Sequence, residues 1–363
     1  MKRIGILTGG GDCPGLNAVI SAIVRSAAHH GIEVIGFKKG FEGLLMGDEG
    51  YVKLGLAEVR GIAHLGGTIL GTTNKGNFSS KMGVGNKMTI DPDVLERSKE
   101  QIARLGLECL VVIGGDGSLS TGLQFQEEGT PIVGVPKTVD NDLDATERTF
   151  GFSSAVDIIS ESLGRIHTTA VSHDRVFLVE AMGRNAGWLT LYGGIAGGAD
   201  MILLPEIKFS YDSIIKFLRE RKKNGRHYAV IAVAEGAAAT GESPIYVKSG
   251  NAKQENVFGG GLVPHIADVL ETISDNEFEV RTVVLGHLQR GGSPNAEDRI
   301  LSERFGEGAV RAILDQKFGY MVALKADKIV TVPIEEAVRE IRYVNPKGEM
   351  VTMAKNVGIS FGE

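Results

Sequence analysis

Residues 109–118 read CLVVIGGDGS, and residues 131–142 read PIVGVPKTVDND. Each opens with a short aliphatic run and then breaks at glycine or proline into acids, hydroxyls and a lysine. Runs this short and this rich in Val and Ile are buried strands of a parallel sheet rather than helices. The polar residues that follow fall beyond the carboxyl ends of the strands, where open α/β sheets bind their ligands.

The same pattern recurs at Arg3–Leu7, Glu33–Phe37, Val176–Val179, Ala229–Val233 and Thr282–Leu285. Between these runs lie helical patterns over Leu16–His30, Pro92–Leu105, Ser153–Thr168, Tyr211–Lys223, Leu262–Ile273 and Asp298–Gln316. The alternation predicts an α/β fold with helices on both faces of largely parallel sheets. The small, polar stretch Gly236–Gly261 is expected to be a surface excursion, and the tail after Tyr343 a short β-leaning appendix.

A chain of 363 residues holds two domains or three. With 42% hydrophobic and 23% charged residues, disorder and fibrous folds are excluded. Its 50 glycines are about twice the usual share and follow no period, which implies many tight turns. A net charge of −6 gives no global basic field, so nucleic acid is not an expected partner. Cys13 and Cys109 are too few for a disulfide framework or a four-cysteine zinc cluster. With neither a signal-like leader nor an apolar run of about 18 residues, a cytoplasmic location without membrane attachment is expected.

The strand ends carry the chemistry. Gly9–Gly15 is glycine-rich and opens a helix, which suits a phosphate and equally suits a tight βα turn. It matches neither the dinucleotide fingerprint nor a Walker A loop. In Gly114–Ser118 two glycines allow close approach to the backbone, and Asp116 can hold Mg²⁺ through water or cap a helix. Asp140 and Asp142, two apart on an extended loop, point the same way, so one can take a hydroxyl proton while the other stays near a metal. Arg175, Arg184, Arg281, His287 and Arg290 read together as phosphate grips. These residues describe a Mg²⁺-dependent phosphoryl transferase acting on a phosphorylated small molecule.

The segments Gly9–Asn17 (GGGDCPGLN), Gly114–Ser118 (GGDGS), Pro136–Asp142 (PKTVDND), Met182–Arg184 (MGR), Ile195–Gly198 (IAGG) and Gly286–Pro294 (GHLQRGGSP) closely resemble those of the 6-phosphofructokinase family, in family order. The resemblance implies two similar three-layer α/β domains with the active site in the cleft between them. Expected bounds are 1–151 plus 289–339 for the phosphoryl-donor domain and 152–288 plus 340–363 for the fructose 6-phosphate domain. It implies transfer of a phosphoryl group from ATP, with Mg²⁺, to the 1-hydroxyl of fructose 6-phosphate.

By the same resemblance Asp140 is the general base with Thr138 beside it, Arg184 stabilises the transferred charge, and Asp116 holds the metal with Asp142 in support. Gly10, Lys75, Gly115, Asp116, Gly117 and Ser118 hold the donor. Met182, Gly183, Glu235, His287 and Arg290 join Thr138, Asp140 and Arg184 around the sugar phosphate, while Arg175 and Arg281 reach it from a neighbouring subunit of a homo-oligomer, a tetramer or a dimer.

Gly117 goes with ATP in this family, whereas Lys137 goes with pyrophosphate. Gly117 decides for ATP, because room for the nucleotide is a steric requirement. A pyrophosphate-dependent enzyme is the alternative, and a catalytically silent sugar-phosphate sensor a third. Asn74 replaces a donor-side arginine that many relatives carry, with Lys75 as its substitute. Ser21 and His167 stand where regulated relatives hold basic effector contacts, while Arg25, Asp200 and Lys223 match, so a weak or altered response to ADP and phosphoenolpyruvate is expected.

Overall fold

The computed structural model describes residues 1–73, 76–78, 89–245 and 259–363, and each of the seven aliphatic runs lies on a strand that pairs in parallel. In chain order the elements are β1 (Arg3–Thr8), α1 (Leu16–His29), β2 (Glu33–Phe37), β3 (Tyr51–Leu54), α2 (Pro92–Arg104), β4 (Leu110–Gly114), α3 (Asp116–Glu127) and β5 (Ile132–Pro136). They continue through α4 (Phe152–His173), β6 (Val176–Ala181), α5 (Trp188–Ala196), β7 (Met201–Leu203), α6 (Tyr211–Lys223), β8 (Ala229–Ala234), α7 (Leu262–Ile273) and β9 (Val280–Val284). The last are α8 (Ala296–Leu314), β10 (Tyr320–Lys325), β11 (Lys328–Pro333), α9 (Ile334–Arg339) and α10 (Glu349–Asn356).

The chain divides into two units. Unit 1 comprises Met1–Val139, Leu143–Ser154 and Arg290–Ile341; unit 2 comprises Asp140–Asp142, Ala155–Gln289 and Arg342–Glu363. Unit 1 holds a sheet of order β11-β10-β5-β4-β1-β2-β3. Strand residues alternate between faces. Leu7, Ile35, Leu110, Val112 and Ile132 therefore share one apolar cluster with Ile102 of α2, Leu119 and Phe125 of α3, and Ile334 of α9. On the other face α1 packs against α8, which also contacts β5 and β10.

Unit 2 holds a sheet of order β7-β8-β6-β9. Val176, Leu178, Ile231 and Val233 meet Ile214 and Leu218 of α6 and Val263, Ile266 and Leu270 of α7. α5 contacts β7 and β8.

The sheets are largely parallel, as expected, with β3 and β11 antiparallel at the two edges of the larger one. Three expectations are corrected. β9 is an edge strand with exposed residues (Val284 is 43% exposed), not a buried one. The start of the supposed surface excursion is core: Ala237, Ala238 and Ala239 are buried, and Ala239 bridges Phe209; residues 246–258 lie outside the described ones. The tail is mainly helical, because α10 buries Val351 and Ala354, with only a single bridge from Ser360 to Met201.

Both cysteines are fully buried. Burial pushes the Cys13 thiol up to about 12 and raises the Cys109 thiol further still. No helix among the described residues is long and apolar enough to cross a membrane.

Candidate functional site

In unit 1 the carboxyl ends of β1, β4 and β5 bring three segments together. Gly9 N donates to the Ile113 carbonyl at 2.9 Å, locking the end of β1 to β4, and Lys137 N donates to the Gly114 carbonyl at 2.9 Å. The turn after β1 then exposes its carbonyls to side chains. Thr72 Oγ1 donates to Gly10 O at 2.6 Å, Lys137 Nζ to Gly11 O at 2.5 Å, and Arg290 Nη1 to Asp12 O at 3.2 Å.

Gly10 has φ 77°, a left-handed state that glycine enters without steric cost. A side chain begun there would stand 3.5 Å from Lys137 Nζ and 3.6 Å from Ser118 Oγ. The turn, the lysine and the serine thus form one small polar cradle. Its floor is the N-terminus of α3, where the cap residue Gly115 supplies no side-chain acceptor. First-turn N–H groups and the positive end of the helix dipole face an anion in such a place.

Gly115, Asp116, Gly117 and Ser118 are all half-buried, so they border solvent rather than the core. Thr138 follows Lys137 with its carbonyl accepting from Thr149 Oγ1 at 2.7 Å, which fixes the loop after β5. Among the described residues no three His, Cys, Asp or Glu side chains converge on one point. Beside the cradle Asp116, the first residue of α3, offers a carboxylate. That fits Mg²⁺, which commonly takes one or two carboxylates and completes its shell with substrate phosphates and water. Lys75 lies outside the described residues.

In unit 2 the carboxyl ends of β6 and β8 gather Asp140, Glu180, Met182, Gly183, Arg184 and Glu235. Arg184 sits at φ 50° and donates its N–H to Glu235 Oε1 at 2.9 Å. Met182 N donates to Gln289 Oε1 at 3.2 Å, and Gln289 Nε2 closes onto the Gly286 carbonyl at 3.0 Å. Glu235 is 5% exposed. Its burial, with Asp140 and Glu180 nearby as like charges, pushes its carboxyl up to about 7. His287 is exposed on the short helical turn Gly286–Arg290 that follows β9.

Within unit 2, Arg175 and Arg281 do not lie at the strand ends that carry Arg184. Arg175 immediately precedes β6, about 20 Å of strand from Ala181, and Arg281 pairs with Phe177 near the amino end of β9, about 13 Å of strand from the level of Ala181. There Arg175 pairs with Glu279 at 2.8 Å, and Arg281 pairs with the same carboxylate. Arg290 belongs to unit 1 and rests on the glycine turn. Sequence reasoning passed over Glu180, which accepts from the N–H groups of Gly260 and Val263 at the start of α7. An acid inside the otherwise apolar run VFLVEA was its signal. It also missed Trp188, Glu206 and Arg342, for which no local signal existed.

Residues 3–313 match the family described as Phosphofructokinase. The ATP-dependent 6-phosphofructokinase of Chloroflexus aurantiacus is 46% identical, with 100% of this chain and 98% of its own covered. A pyrophosphate–fructose 6-phosphate 1-phosphotransferase of Amycolatopsis methanolica is 43% identical over 95% of this chain and 97% of its own. Among solved structures, phosphofructokinase from Saccharomyces cerevisiae superposes with a TM-score of 0.80 at 32% identity. That match covers 93% of this chain and 45% of the longer yeast chain. With the glycine cradle, the TVDND loop and the MGR turn each at the carboxyl end of a strand, the chain belongs to the phosphofructokinase family.

Proposed function

We propose that this chain transfers the γ-phosphoryl group of ATP to the 1-hydroxyl of fructose 6-phosphate, giving fructose 1,6-bisphosphate and ADP. The observation that carries the reading is the cradle of Gly10, Ser118 and Lys137 on the open N-terminus of α3, with glycine at position 117. Full-length relatives named ATP-dependent 6-phosphofructokinase support ATP as donor.

Unit 1 is the phosphoryl-donor side in this reading and unit 2 the sugar-phosphate side. Gly10, Gly115, Gly117 and Ser118 offer backbone and hydroxyl groups to the donor phosphates, with Lys137 as the adjacent cation. Asp116 holds Mg²⁺, which neutralises phosphate charge when bound. Asp140 accepts the proton of the sugar 1-hydroxyl as its oxygen attacks the γ-phosphorus, and the bond to the ADP oxygen breaks. Thr138 orients the acceptor, and Arg184 stabilises charge on the moving phosphoryl group. Met182, Gly183, Glu235, His287 and Arg290 hold the sugar phosphate. Arg175 and Arg281, at the amino ends of β6 and β9, serve the site of a neighbouring subunit in a homo-oligomer.

Two observations favour pyrophosphate as a second donor: a buried lysine cation lies in the cradle itself, and a relative named for pyrophosphate is 43% identical. A coupled assay for fructose 1,6-bisphosphate, with ATP and pyrophosphate run in parallel, tests the reading. Turnover with ATP, abolished about 10²- to 10⁴-fold by Asp140→Asn, is the expected result. Turnover with pyrophosphate alone overturns ATP as donor, and unchanged Asp140→Asn turnover overturns the base.

A further inference from the structure

The segment that enters unit 2 at Arg342 touches both loops that carry the proposed chemistry. Arg342 Nε and Nη2 donate to the Asn141 carbonyl at 3.2 and 2.9 Å, and Arg342 N donates to the Asp142 carbonyl at 2.9 Å. Its guanidinium lies 4.7 Å from the centre of the Trp188 ring, and Trp188 Nε1 donates back to the Arg342 carbonyl at 2.7 Å. Trp188 opens α5, directly after the Gly183–Gly187 turn that carries Arg184.

Two residues on, Val344 N donates to Glu206 Oε1 at 2.9 Å, and the same carboxylate accepts from Gly187 N at 2.9 and 3.2 Å. Asn141 and Arg184, one in each loop, have φ of 52° and 50°. Side-chain-bearing residues hold that backbone state only where their surroundings over-determine it. A forked cation on the Asn141 carbonyl, stacked on an indole, supplies such a constraint.

We propose that Arg342–Val344 is a positioning bracket for the Asp140–Asp142 and Gly183–Trp188 loops, with Arg342 as its principal residue. Arg342 acts through Asn141 on Asp140; it is a positioning residue, not a catalytic one. The segment lies beyond residue 313, where the match to the family ends, so the bracket is assigned from this structure's contacts alone. It rests on Asp140 being the base of the proposed reaction.

Arg342→Ala is expected to lower kcat about 10- to 100-fold, because a catalytic group displaced by about an ångström loses that much. KM for ATP, which binds to unit 1 groups, should stay within about twofold. Arg342→Lys, a cation without the fork, should fall between the two. Guanidinium ion added to Arg342→Ala should recover several-fold of the lost kcat, and the pH profile of kcat should shift as Asp140 is re-oriented. Trp188→Phe, which keeps a ring and loses the indole N–H, should cost less than Arg342→Ala.

A kcat for Arg342→Ala within twofold of wild type overturns the bracket. So does a loss that merely follows the folded fraction, with an unchanged pH profile and no guanidinium rescue. Should the wild-type chain phosphorylate no fructose 6-phosphate, the proposed reaction fails and not the bracket. Amide exchange over residues 140–142 then decides: faster exchange in Arg342→Ala supports the bracket, and unchanged exchange refutes it.

Discussion

Lys137 Nζ donates to the Gly11 carbonyl at 2.5 Å, so the cation that follows β5 is built into the glycine turn that follows β1. Lys137 is 4% exposed, and its ammonium orders the turn while adding charge beside it. Lys137→Gly should therefore raise KM for either donor by about tenfold or more, with pyrophosphate the more affected because it has no nucleoside to add binding. Steady-state kinetics with both donors checks this; unchanged constants for both would leave Lys137 without a role at the phosphate.

Gly236 is packed against the Arg184 carbonyl. A Cβ added at Gly236 would stand 2.1 Å from that oxygen, with Pro205 at 3.3 Å. Backbone must move, and the Arg184 turn is the part that yields. Gly236→Ala should cost about 1–3 kcal/mol of stability and reduce kcat more than it raises the KM for ATP. Denaturant unfolding and initial-rate kinetics on the same preparation give both numbers.

Glu235 sets a pH dependence of known sign. Its carboxyl titrates near 7 in the folded chain because of burial first and of Asp140 and Glu180 second. Between about pH 4.5 and 7 the folded state holds a proton that the unfolded state has released. Its contribution is complete below about pH 4.5 and disappears as the pH rises through 7. Glu235→Gln stays neutral throughout, so the Tm of the variant minus that of wild type should increase from pH 5 to pH 8. A flat difference would mean that Glu235 is already ionised at the lower pH.

Asp200 is committed to partners within its own chain. Arg221 Nη1 pairs with it at 2.9 Å, its other oxygen accepts from Val230 N at 2.9 Å, and the Arg221 guanidinium packs over Phe217 and Tyr228. Arg25 is likewise paired with Glu303 at 3.1 Å. Two of the groups that match effector contacts in regulated relatives are thus already neutralised. Saturation by fructose 6-phosphate should be close to hyperbolic and shift less than about twofold with ADP or phosphoenolpyruvate. Strong sigmoidal activation by ADP would refute it.

The parallel core was legible because each strand is a short aliphatic run punctuated by glycine, proline or acid. The β10–β11 hairpin was not. Its turn, Ala326-Asp327, takes φ of 46° and 58° without the glycine or asparagine that marks such turns. α3 showed only as a possible helix cap at Asp116, because Gly117, Ser118, Ser120, Thr121 and Gly122 depress helix propensity until the sheet buries Leu119 and Phe125. Candidate site residues at strand ends were readable as motifs, since glycine, acid and hydroxyl cluster there. Position along a strand was harder: Arg175 and Arg281 carry the same charge as Arg184 but stand at the opposite ends of their strands. Arg342 was unreadable, because its contacts exist only once α5 and the Asp140–Asp142 loop are already in place.

The two cysteines have a practical consequence. Cys13 and Cys109 are the whole thiol content of the chain, and both are buried with their thiolates strongly disfavoured. A maleimide reacts with exposed thiolate, so the native protein should remain unlabelled at neutral pH. A single cysteine placed at an exposed position such as Asn185, on the Gly183–Gly187 turn, then becomes a unique attachment point for a fluorophore, with no need to remove either native thiol.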